Sequence, residues 1–181
     1  MTTTPTTTPS NMPATTQDLT PWLTWARTQM GVRETKGPQH TAQILSYWRA
    51  IKRGGIKDDE TPWCAAFVGA ALESVGIQST RFESARSYEQ WGWSLPAPAV
   101  GCVVVFTRDG GGHVGFVVGQ DAAGQLLVLG GNQADAVNVR AFARSRATAY
   151  RWPTNTPPNT PPNTPSGLPV LASAQTSTSE A

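Results

Sequence analysis

The sequence predicts an α+β domain, on three observations. Up to Gly76, apolar residues recur at helical spacing between cap residues and stopping glycines. From Gly101 onward they form short β-branched runs separated by glycine- and aspartate-containing turns. Both ends of the chain are Thr/Pro-rich with almost no apolar side chains, too few to offset the entropy of ordering. We therefore expect disordered tails at 1–17 and 154–181 around a single folded domain at 18–153. The second tail repeats Thr-Pro-Pro-Asn at 156–159 and 160–163 and should be partly polyproline II.

The first helix is expected at 21–30, with Thr20 as cap, Pro21 opening it, Gly31 closing it, and Trp22, Leu23, Ala26 and Met30 facing the core. A second covers 41–50, with Ile44, Leu45, Tyr47 and Trp48 partly buried. A third is capped by Thr61, opened by Pro62, continues from Cys64 to Val75 and stops at Gly76. Residues 84–92 suggest a short helix, and Pro96 and Pro98 prevent its continuation. Strands are expected at 101–108, 113–118 and 125–129, joined by a Gly110-Gly111-Gly112 loop and a turn at Asp121-Ala122-Ala123-Gly124. Shorter strands at 137–142 and 149–152 complete an antiparallel sheet.

Charge and composition exclude several functions. The net charge of +2 is small and the basic residues are scattered, so no nucleic-acid footprint exists, although mild basicity suits an anionic polymer such as cell wall. No run approaches the roughly 20 apolar residues that span a bilayer, and the N-terminus shows neither a basic n-region nor an apolar h-region. We expect a soluble monomer with no membrane partner and no general secretory signal. The only cysteines, Cys64 and Cys102, and the only histidines, His40 and His113, have no metal-ligand spacing, so no metal or cofactor is expected.

A thiol in the first turn of a helix meets unpaired N–H groups and the positive end of the dipole, which favour thiolate; Cys64 is thus placed to be a nucleophile. It needs a base, and His113 stands at the start of a strand just after the glycine loop. The imidazole needs a partner to fix its tautomer. Asn132, at the end of the next strand, is the candidate, with Asp135 as its rival. The order of cysteine, histidine and polar partner, with helix before sheet, is that of papain-like cysteine hydrolases.

Four ordered segments carry a more specific resemblance: Glu60-Thr61-Pro62-Trp63-Cys64-Ala65-Ala66-Phe67-Val68, Ala85-Arg86-Ser87, Gly112-His113-Val114-Gly115-Phe116 and Leu129-Gly130-Gly131-Asn132-Gln133. Together they resemble the NlpC/P60 and CHAP superfamily of papain-like peptidoglycan hydrolases over nearly all of 18–153. The resemblance implies helices packed on a small antiparallel sheet, with Cys64 as nucleophile, His113 as general base and Asn132 as the orienting residue. It offers Ser84, Arg86 and Ser87 as substrate contacts. Glu34 is either a cleft residue or a solvated loop carboxylate, and Trp63 either lines the cleft or fills the core. Relatives commonly carry Gly-Asp before the first strand where this chain has Cys102, which we read as a buried strand residue. The implied activity is hydrolysis of an amide in the peptide stem of peptidoglycan, either an amidase or an endopeptidase cut. An acyltransferase or transglutaminase-like enzyme and a non-catalytic wall-binding module are the alternatives. Synthesis in the cytoplasm with action on the wall implies another route of export, as for a phage lysin or an injected effector, the latter with a cognate immunity protein.

Overall fold

Pro21 opens α1 (Pro21–Thr28) in the computed structural model, which describes residues 20–154, 167–172 and 175–176. The expected tail at 1–17 and most of that at 154–181 lie outside the described residues. Trp22, Leu23 and Ala26 of α1 are buried as their spacing requires, whereas Met30, in the turn beyond the helix, is 48% exposed and does not join the core. The reason is that the helix ends at Thr28, which takes Met30 off its buried stripe. α2 (Ala42–Ala50) buries Ile44, Tyr47 and Trp48.

α3 (Cys64–Glu73) starts later than its sequence suggests. The Thr61 N–H donates to Asp58 Oδ1 at 2.6 Å, so Thr61 and Pro62 belong to a side-chain-stabilised turn, Trp63 is the N-cap and Cys64 is the first helical residue. Every residue from Cys64 to Leu72 is buried, because α3 lies between the other two helices and the sheet. Gly69 makes the closeness possible: a Cβ there would stand 2.3 Å from Ile51 Cγ2. The helix ends through Ser74 and Val75 at Gly76, whose φ of 79° is left-handed.

A 3-10 helix (Ala85–Gln90) replaces the short helix expected near Ser84. The strands are β1 (Trp93–Ser94), β2 (Val103–Arg108), β3 (Gly111–Gln120), β4 (Leu126–Gly130), β5 (Asn138–Phe142), β6 (Ala147–Trp152) and β7 (Gln175–Thr176), in the order β1-β6-β2-β3-β4-β5-β7. All pairings are antiparallel except β5 with β7. The glycine run is not a loop throughout. Only Asp109 and Gly110 turn, and Gly111 and Gly112 already pair with Arg108 and Thr107. Cys102 is fully buried, as a strand-core cysteine should be.

The C-terminal tail requires a correction at 167–172, which is no linker. Gln120 N–H donates to Pro169 O at 2.9 Å, Leu171 N–H to Gln120 O at 2.8 Å, and Gln120 Nε2 to Leu168 O at 3.0 Å, while Leu168 is buried. This strap has a seat built for it: a Cβ on Gly119 would come within 2.8 Å of both Leu171 Cδ1 and Pro169 O.

Candidate active site

Cys64 enters the site as the first residue of α3, and the strand facing it is β3. The N–H of Val114 is within hydrogen-bonding reach of the Cys64 sulfur, and the N–H groups of Ala65 and of Cys64 itself also face it. Val114 follows His113, so the thiol lies against the backbone beside the imidazole-bearing residue. Burial nevertheless dominates: it pushes the Cys64 thiol above its ordinary range, against those N–H groups and the more distant Arg108 charge. The expectation that a helix start favours thiolate is thereby corrected. In this apolar setting the resting form is the thiol, and a base must remove its proton.

His113 pairs with Phe106 across β2 and β3 and is buried. Its ring stacks on Phe142 at a centroid distance of 5.4 Å and an interplanar angle of 9°, and more loosely on Phe106 at 6.4 Å. These faces fix the ring plane. Its edge is fixed by Gln133, whose Oε1 lies 2.9 Å from His113 Nε2. Gln133 itself is held: its Nε2 donates to Asn138 O at 2.8 Å, Asn138 Oδ1 at 2.9 Å and Val128 O at 3.3 Å, while Asn138 Nδ2 returns a bond to Gln133 O at 2.7 Å. Turning the amide over would set its oxygen against those oxygens, so Oε1 must face the histidine. His113 Nε2 therefore carries the proton and donates it to Gln133, which leaves the lone pair on Nδ1.

The contact expected of Asn132 is instead made by its neighbour, Gln133. Asn132 is buried, but its backbone is left-handed (φ 57°), as are those of Ala134 (53°) and Asp135 (58°). This tight turn takes the chain off β4 and swings the next side chain, Gln133, back over the strand end. The rival Asp135 points elsewhere, pairing with Lys36 at 3.6 Å.

The expected substrate contacts separate into two groups. Arg86 lies across Gly112, where a Cβ would stand 2.9 Å from Arg86 Cγ, and its 60% exposed side chain reaches Glu89 only at 3.3 Å. It therefore flanks the histidine strand and is open to solvent. Ser84 is exposed at the start of the 3-10 helix, whereas the Ser87 hydroxyl is bonded to Thr80 Oγ1 at 2.8 Å. Trp63 is fully buried, so of the two expectations for it the structure shows the core one and not a substrate contact; its ring lies under Gly131, where a Cβ would approach Trp63 Cζ3 to 2.5 Å. Glu34 is half-buried, with Oε2 accepting from Trp63 Nε1 at 3.3 Å.

Sequence reasoning also missed Asp59. This fully buried carboxylate accepts from the N–H groups of Thr35 (2.9 Å) and Thr41 (2.8 Å) and from His40 Nδ1 (2.9 Å). It ties the loop after α1 to the approach to Cys64. The adjacent acids in Asp58-Asp59-Glu60 were the available signal.

An α+β domain with a cysteine at a helix start, beside a buried histidine strand whose imidazole is held by an amide, is a papain-like thiol-hydrolase arrangement. Residues 56–132 match the model of the CHAP domain family, a papain-like cysteine and amidase family of peptidoglycan hydrolase domains. The match takes in Cys64 and His113 and ends at Asn132, short of Gln133. No curated protein matches the chain.

Proposed function

We propose that the protein is a cysteine hydrolase that cleaves an amide bond in the peptide stem of peptidoglycan. The observation that carries this reading is the 2.9 Å contact of His113 Nε2 with an amide oxygen that cannot turn, because it leaves Nδ1 as base on the residue before Val114, whose N–H faces the Cys64 thiol. In the reaction, Nδ1 takes the Cys64 proton as the sulfur attacks the amide carbonyl. N–H groups at the start of α3 hold the oxyanion. The carbon–nitrogen bond breaks, the amine leaves with the proton from Nδ1, and a thioester remains on Cys64. Water, deprotonated by Nδ1, cleaves it to a carboxylate and restores the thiol. The CHAP match supports the polymer as substrate, and exposed Arg86 beside Gly112 is suited to a stem carboxylate. A phage lysin and an injected effector with an immunity partner both fit this chemistry.

Mass spectrometry of purified sacculi after digestion tests the proposal. New amine and carboxylate ends at one stem bond, lost in Cys64→Ala, are expected, and the masses identify the bond. Intact muropeptides with a folded, unaltered protein would refute it.

A further inference from the structure

We propose that Glu34 is a positioning residue that clasps the Cys64 side of the site to the Gln133 side, an inference resting on Cys64 as the nucleophile. The residues around Glu34 are zipped onto the loop that carries Gln133. Gly31 N–H donates to Val137 O (3.0 Å), Val137 N–H to Val32 O (2.8 Å) and Glu34 N–H to Asp135 O (2.9 Å), and Arg33 bridges Ala136. The Glu34 side chain reaches the other way, accepting from the indole N–H of Trp63, the N-cap of α3 directly before Cys64. The indole closes the circuit by packing under Gly131, at the root of the same loop.

One residue thus bonds through its backbone to the segment that aims His113 and through its carboxylate to the residue that sets the start of the nucleophile helix. Neither contact reaches the reacting atoms. A cleft carboxylate that binds substrate would have its oxygens free for it, whereas Glu34 spends one on a fully buried indole. The contact also does not require the charge. Burial raises the Glu34 carboxyl above its usual range against the Trp63 bond, with the charges of Asp135, Asp59 and Glu60 adding to the rise, and a neutral carbonyl oxygen still accepts from the indole, though more weakly than a carboxylate.

That separates positioning from substrate binding. Glu34→Ala should lower kcat roughly tenfold or more with KM within about twofold, and Glu34→Gln should restore kcat, since an amide oxygen can take the same indole proton. Alkylation of Cys64 by iodoacetamide, which involves no cell wall, should slow in Glu34→Ala and recover in Glu34→Gln. A KM raised about tenfold in Glu34→Gln with kcat intact would mark a substrate contact and overturn the proposal, a reading that stands even when the alanine protein does not fold. Equal alkylation rates in all three proteins would overturn it too. Sacculi left intact by the unaltered protein would instead overturn the hydrolase reading, and alkylation alone would then decide the clasp.

Discussion

Oε1 of Gln133 lies 2.5 Å from where a Cβ on Gly130 would stand, so a side chain on one excludes the amide of the other. Gly130 is not among the residues with left-handed backbone, and its lack of a side chain answers a need for space rather than for conformation. Gly130→Ala should push the end of the flexible glutamine aside with little change in melting temperature. It should also detach His113 Nε2 from its acceptor and lower kcat by roughly ten- to a thousandfold. Gln133→Ala should show the same defect and Asn132→Ala a smaller one. A larger loss in Asn132→Ala than in Gln133→Ala would return the orienting role to Asn132.

Burial holds the Cys64 thiol above its ordinary value of 9.0, so the free protein carries little thiolate at neutral pH. The rate of alkylation by iodoacetamide should climb steadily from pH 7 to beyond pH 9, without an early plateau. Cys102 does not interfere, because burial pushes its thiol to about 12 despite the Ala99 N–H. A rate already maximal near pH 6 would indicate a preformed thiolate–imidazolium pair.

Asp59 couples stability to pH. Burial by itself would raise its carboxyl, but the N–H groups of Thr35 and Thr41 and the bond from His40 outweigh it and hold the group at about 2, against 3.8 when unfolded. A depressed acid stabilises the fold above its unfolded pKa, and that stabilisation disappears as pH falls from near 3.8 toward 2. Asp59→Asn should therefore be less stable by about 2 kcal/mol at pH 6, with the gap closing below pH 3.8. Denaturant titrations at pH 6 and pH 3 measure this; a gap independent of pH would refute it.

Ending the chain at Thr154 removes Leu168 from the core, which should lower stability by about 1.5–3 kcal/mol while leaving the site intact. The strap sits at the Gly119–Gln120 end of β3, away from His113, so wall hydrolysis at moderate temperature should persist. Calorimetry of the shortened protein decides the matter, and an unchanged melting temperature would show that the strap contributes nothing.

The parts of this fold that were legible in the sequence are those that local signals specify. Pro21 and Gly76 mark helix ends, and the valines at 103–105 mark a strand, because backbone sterics act over a few residues. The partner of His113 was not legible: the choice between Asn132 and Gln133 depends on three left-handed residues in one turn, at positions where no glycine announces them. Trp63 was ambiguous because its burial depends on Gly131, distant in sequence. The strap was hidden by its setting, since Leu168 and Leu171 stand in a Pro/Thr-rich tail without periodicity and find their seat only because Gly119 is bare. Gly112 misled for a similar reason, as its missing side chain makes room for Arg86 and not for a loop.

The place of β6 between β1 and β2 bears on how the protein is made. Translation delivers β2 long before the strand that must flank it, and such distant pairings form only after a large loop closes. Until Trp152 has left the ribosome tunnel, β2 has an open edge and β1 has no neighbour. The sheet that carries His113 is therefore completed only when nearly the whole folded segment has been made.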